Sequence, residues 1–165
     1  MAFIFNQKEL AFEANKQAPE QFQLKTSIPR LSKATDSKHL VFDFRQLEPG
    51  KYSFPYHFHR NAEEIIFILS GSMTLRSKDG FREVKQGDLI FFEIGETGAH
   101  QFYNHTDADC SYFDLRTSVG IDVCEYPDSG KINILPFFEN FFKDNQIGYF
   151  DGEEDIDSKW KSQQL

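Results

Sequence analysis

At 165 residues, with 39% hydrophobic and 27% charged side chains, the chain is long enough for one domain with a core of its own. Twenty-six acidic against 18 basic residues leave a net charge of −8, and no Lys/Arg cluster offsets it, which disfavours a phosphate backbone as partner. No apolar run nears the roughly 18 residues of a membrane span, and the apolar start is too short for a secretory core, so a soluble cytoplasmic protein is expected. Cys110 and Cys124 stand outside any C-x-x-C pair and read as free thiols of a reducing compartment.

In chain order, Asn6 to Gln17 reads as a helix, with Asn6 as cap and Glu9 three residues on. Pro19 and Pro29 punctuate the next stretch, and Ser32 to Ser37 is a polar connector. From Lys38 the pattern changes to short strands between turn signals. His39 to Leu47 alternates, with Leu40, Phe42 and Phe44 on one face, and Glu48-Pro49-Gly50 turns. Tyr52, Phe54 and Tyr56 alternate next, with Pro55 at an edge or bulge. Ile65–Leu69 is a solid apolar run closed by Ser70-Gly71. Strands around Met73–Ser77, Phe81–Val84, Leu89–Phe92, His100–Asn104 and Cys110–Arg116 come after it. About eight evenly spaced strands without helical period predict an antiparallel sandwich or barrel. Beyond it, Pro127 to Gly130 is a turn and Ile132–Leu135 one more strand. Phe137, Phe138, Phe141 and Phe142 are spaced as a helical face or an irregular arm, and Gly152 to Asp157 is an acidic tail.

The chemistry concentrates on His57-Phe58-His59, followed after four residues by Glu64. On an extended backbone two histidines one residue apart point the same way. With His100 they compose a candidate metal site of three imidazoles and a carboxylate. Glu63 competes with Glu64, but neighbours on a strand face opposite ways, so one of them reaches the site; the spacing from His59 and to Gly71 favours Glu64.

These residues resemble the two motifs of the cupins. The first, G-x5-H-x-H-x(3,4)-E-x6-G, is met by Gly50 (with six intervening residues), His57, His59, Glu64 and Gly71. The second, G-x5-P-x-G-x2-H-x3-N, is met by Gly87, Gly95, His100 and Asn104. Glu93 stands where the family has proline, and the stretch from Gly95 to His100 is two residues longer. The match spans about residues 38–116. A narrower likeness, carried by the D-V-C-E-Y-P-D-S-G-K segment from Asp122 to Lys131, is to a subgroup of small single-domain bacterial cupins.

The resemblance implies an all-β, double-stranded β-helix, a jelly-roll-like barrel over 38–118, with an N-terminal extension (1–37) and a C-terminal aromatic arm and acidic tail (119–165). It implies that His57, His59, Glu64 and His100 hold one divalent transition-metal ion of the Mn, Fe, Ni, Co or Zn group. Function is expected to be that of a metal-dependent enzyme of dioxygenase, isomerase or decarboxylase type on a small molecule such as a sugar or organic acid, Glu64 being the candidate catalytic group. A non-catalytic sensing cupin is the alternative. Tyr52, Tyr56, Phe67, Phe102 and Tyr112 are candidates for the substrate pocket. Phe54 and Phe91 read as barrel lining. Arg45, Arg60 and Arg116 read as ion-paired or solvated, with an anionic substrate as their alternative partner. His39 and His105 read as surface residues, Cys110 as a buried filler. Cys124 is the thiol with the better claim to a role. The Phe cluster predicts a homodimer.

Overall fold

Closely spaced turn residues cut the chain into antiparallel strands of two to eight residues. The computed structural model describes residues 2–161. Its strands are β1 (Ala11–Ala14), β2 (Lys25–Ile28), β3 (Leu40–Leu47), β4 (Phe58–His59), β5 (Glu64–Ser70), β6 (Ser72–Ser77), β7 (Gly80–Lys85), β8 (Leu89–Phe92), β9 (His100–Tyr103), β10 (Cys110–Thr117), β11 (Asp122–Tyr126), β12 (Lys131–Leu135) and β13 (Glu139–Phe142). Two short helices, α1 (Leu31–Ala34) and α2 (Ile156–Lys161), complete it with a few 3-10 turns. None of the described helices is long and apolar enough to cross a membrane.

One sheet runs β1-β2-β3-β10-β5-β8. The second layer is made of β7-β6-β9 and β13-β12-β11-β4. These two half-sheets meet where His57 pairs with His100 in an antiparallel bridge. His57 N–H donates to the His100 carbonyl (3.2 Å) and His100 N–H to the His57 carbonyl (2.9 Å). Between the layers lies an apolar core built on Leu47, Ile66, Ile68, Met73, Leu75 and Phe102. The segment before residue 38 adds β1 and β2 to the first sheet, and the segment after 118 adds β11, β12 and β13 to the second layer.

Two local expectations are overturned. The N-terminal helix is a single 3-10 turn, Gln7–Glu9, whose Asn6 side chain accepts from Lys8 N–H; the chain then extends into β1. Between Asn6 and Gln17, Leu10 and Ala14 offer too narrow an apolar stripe to sustain a helix, and pairing with β2 satisfies the backbone instead. Phe137 to Phe142 forms no helix: Glu139–Phe142 is β13, an edge strand paired to β12. The tail carries a short helix, α2, from Ile156.

On β3 the three apolar residues do share a face, but it is the outer one. There Phe42 and Phe44 lie 6.2 and 5.5 Å from the Phe113 ring. The inner face presents Asp43, Arg45 and Leu47, all buried. Charge is tolerated inside because it is paired. Arg45 Nε donates to Asp114 (2.8 Å) and its Nη1 to Thr26 Oγ1 (2.5 Å). Asp43 accepts from Arg30 Nε (2.6 Å) and from Leu31 N–H (2.7 Å), which fastens the start of α1 onto β3.

Candidate metal centre

The pair His57 and His59 flanks Phe58 on the short extended run ending in β4, so both imidazoles face inward. His100 opens β9, and its backbone bridge to His57 brings the rings to 4.7 Å between centroids. Glu64 opens β5 in the opposite layer. With Glu64 turned inward, period two buries Ile66 and Ile68 and sends Glu63, Ile65 and Phe67 outward. Glu63 is thereby excluded from the cluster, and its backbone is bound to Thr117 instead.

His57, Glu64 and His100 place ligand atoms within 4.8 Å of one another. His59 Nε2 lies 3.5 Å and His100 Nε2 3.7 Å from Glu64 Oε2. Each imidazole is also held from behind. His57 Nδ1 contacts the Pro55 carbonyl at 2.8 Å, His100 Nδ1 the Gly98 carbonyl at 2.9 Å and His59 Nδ1 the Asp122 carboxylate at 2.5 Å. A carbonyl can only accept, so for His57 and His100 the proton sits on Nδ1 and the Nε2 lone pair is free. Phe92 stacks on His100 at 3.7 Å between ring centres and fixes its plane.

Electrostatics agrees with this division of labour. Burial, reinforced by His100, pushes His57 down to about 3, and burial likewise lowers His100, so both imidazoles are neutral at neutral pH. Burial works against a charged His59 too, but hydrogen bonds to Asp122 and Glu64 overcome it and raise its pKa. Burial would raise Glu64, yet the field of His100 and the hydrogen bond from His59 hold it below the usual carboxylate range. Two imidazole lone pairs and a carboxylate are thus gathered within 4.8 Å of one another. The donor set fits a first-row divalent ion.

The sequence did not point to Asp122. It lies on β11, which pairs with β4 in the register Cys124↔His59, and its carboxylate also accepts from Asn61 N–H (2.9 Å) and Arg116 Nη1 (3.2 Å). The cue was present in Asp122-x-Cys124-x-Tyr126, whose period-two face looks at the two imidazoles. Tyr126 stacks on His57 at 5.9 Å, and Cys124 Sγ falls within 4.8 Å of the ligand atoms of His57 and His59. Burial pushes this thiol up to about 12. Asp122→Asn is expected to weaken metal binding about 10–100-fold by loosening His59. Isothermal titration with zinc checks this, and an unchanged affinity would refute the orienting role.

The pocket candidates divide. Phe102 and Tyr112 are buried, Phe102 being 6.0 Å from both the His100 and Tyr112 rings. Tyr52 is partly exposed and packs on Tyr103 at 4.6 Å, while Tyr56 lies beneath the Arg76 guanidinium at 4.0 Å. Phe67 faces outward beside Leu89 and Phe113, so it does not line the interior, and Phe91 is exposed on the same outer surface. Phe54, also partly exposed, lies under Arg45 at 5.4 Å. Arg45, Arg60 and Arg116 are all ion-paired, to Asp114, Glu125 and Asp122. His105 is at the surface against Thr74, His39 is exposed, and Cys110 is a buried core residue. Asp114 shares the inner face of β10 with Tyr112; burial pushes its carboxyl up to about 6, and burial keeps Tyr112 well above its ordinary value.

Residues 44–116 match the family described as Cupin domain. The fold is the cupin fold. A sugar phosphate isomerase of Silicibacter pomeroyi from a cupin superfamily superposes with a TM-score of 0.74 at 21% identity, over 90% of this chain and 98% of that one. The polyketide cyclase RemF of Streptomyces resistomycificus gives 0.58 at 24%, over 71% and 80%. A Thermotoga maritima protein described as a predicted oxalate decarboxylase gives 0.59 at 20%, over 71% and 100%. No curated protein matches. At these identities the likeness is one of fold, and the structures named here differ in the chemistry they are credited with.

Proposed function

We propose that this chain is a metal-dependent cupin enzyme acting on a small, oxygen-rich organic molecule, with His57, His59, Glu64 and His100 holding one divalent transition-metal ion. The observation that carries the reading is the set of three imidazoles, each held at Nδ1 from behind, gathered around the Glu64 carboxylate. A bound divalent ion would supply Lewis acidity, withdrawing charge from a substrate carbonyl or hydroxyl. The protein's own groups do the rest. Glu64 stays ionised. Phe92 and Phe102 exclude water around His100.

Of the three reaction types, isomerisation of a sugar phosphate is placed first, since the isomerase from S. pomeroyi is matched over nearly its whole length. The test is proton exchange in heavy water, followed by NMR, for metal-loaded protein with a panel of aldose and ketose phosphates. Deuterium entering at the carbon beside the carbonyl is the expected result. No exchange with any of them, with neither decarboxylation of small diacids nor oxygen uptake, would overturn the enzymatic reading. The alternative, a ligand-sensing cupin, draws its support from the burial of the donors, which are only 3–6% exposed. We also propose a homodimer, supported by Phe137, Phe138, Phe141 and Phe142, which are 50–72% exposed on and beside β13. A monomeric sedimentation coefficient at micromolar concentration would refute it.

A further inference from the structure

We infer that Cys124 is a metal ligand of this centre, placing a thiolate beside His57 and His59. The inference rests on the metal-binding reading above and adds to it a donor of different chemistry.

The antiparallel register sets Cys124 directly across from His59. Side chains on one face alternate along a strand, so Asp122, Cys124 and Tyr126 all look toward His57 and His59. The outer two of these three are occupied with the imidazoles: Asp122 binds His59 Nδ1 at 2.5 Å, and the Tyr126 ring stacks on His57. Cys124 lies between them, 2% exposed, with its sulfur within 4.8 Å of the ligand atoms of both histidines. That is the same span that relates His57 to Glu64 and His100, and His57 belongs to both groups. Donors around one zinc-sized ion stand about 2.0–2.3 Å from it, hence up to roughly 4.4 Å from each other, so small side-chain adjustments bring His57, His59 and Cys124 onto one ion.

Two imidazoles and a thiolate select differently from three imidazoles and a carboxylate. Sulfur favours zinc, iron or cobalt over manganese and magnesium, whereas Glu64 favours the harder ions. A thiophilic ion is therefore held with the sulfur as a donor. Coordination balances simply: the metal–sulfur bond forms as the S–H bond breaks, and the proton leaves to the buffer. The burial of Cys124 is consistent with this role, because it keeps the thiol from oxidants and from disulfide exchange.

The experiment is titration of metal-free protein with cobalt(II), read by absorption, for wild type and Cys124→Ser. Wild type is expected to show both the visible ligand-field bands and an intense near-ultraviolet thiolate-to-cobalt charge-transfer band. Cys124→Ser is expected to keep the former and lose the latter. Ligand-field bands without charge transfer in wild type would overturn the sulfur ligand while leaving the histidine–glutamate centre standing. A charge-transfer band that survives Cys124→Ser would assign the sulfur to Cys110 and overturn the inference. Absence of any cobalt spectrum in wild type would overturn the metal reading and this inference together. Should Cys124→Ser fail to fold, Cys110→Ser decides between the two thiols: the charge-transfer band is expected to survive that substitution, and its loss there would overturn the inference.

Discussion

His57→Ala is expected to abolish stoichiometric metal binding. His57 is the residue common to both donor groups, and it supplies an Nε2 lone pair kept free by the Pro55 carbonyl on the opposite nitrogen. Loosening an outer partner of a ligand costs about 10–100-fold in affinity, so deleting the ligand itself should exceed about 100-fold. Plasma mass spectrometry on protein equilibrated with one equivalent of ion should find near one equivalent in wild type and almost none in the variant. Stability gives a second readout. At an ion concentration 100 times Kd, binding adds about 2.7 kcal/mol, which for a chain of this size is a rise of roughly 5–11 °C in Tm. That rise should vanish in His57→Ala, whose melting should no longer respond to added ion or chelator. Full metal retention in the variant would sink the assignment of the centre.

Asp43→Ala is expected to destabilise the fold by about 3–5 kcal/mol, because it strands charge inside the protein. Asp43 is fully buried and takes bonds from Arg30 Nε and from Leu31 N–H; Arg45 Nη2 stands 3.9 Å away. Removing the carboxylate leaves a buried guanidinium with only Asp114 to balance it, and an orphaned backbone donor at the start of α1. Asp43→Asn should fall in between, since its amide oxygen can still accept from Leu31 while the charge is lost. Urea denaturation followed by circular dichroism measures both; a loss under about 1 kcal/mol for the alanine variant would show that the network is not needed for stability.

The central cluster was legible because local geometry writes it into spacing. Alternation along a strand makes His57 and His59 neighbours and admits only one of Glu63 and Glu64, and the spacing from His59 and to Gly71 points to Glu64. The remainder depends on pairings between distant segments. Asp122 comes nearly sixty residues after Glu64 and reaches His59 only because β11 lies against β4. The inner face of β3 misled for another reason: hydrophobicity assigns Phe42 and Phe44 to the interior, whereas ion pairing lets Asp43 and Arg45 take that place. Phe67 went the same way, since fixing Glu64 inside fixes Phe67 outside. At the N-terminus a cap residue and a nearby glutamate announced a helix start, but too little apolar surface lay beyond them to carry the helix past one turn.

The backbone bridge between His57 and His100 has a mechanical meaning. It is the junction at which β7-β6-β9 and β13-β12-β11-β4 become continuous. An ion gripped by these two side chains, as proposed above, would act as a rivet through a suture. Affinity at the centre and cohesion of the second layer become linked quantities, and the linkage is reciprocal. The factor by which opening the suture weakens the hold on an ion equals the factor by which a bound ion favours the closed suture.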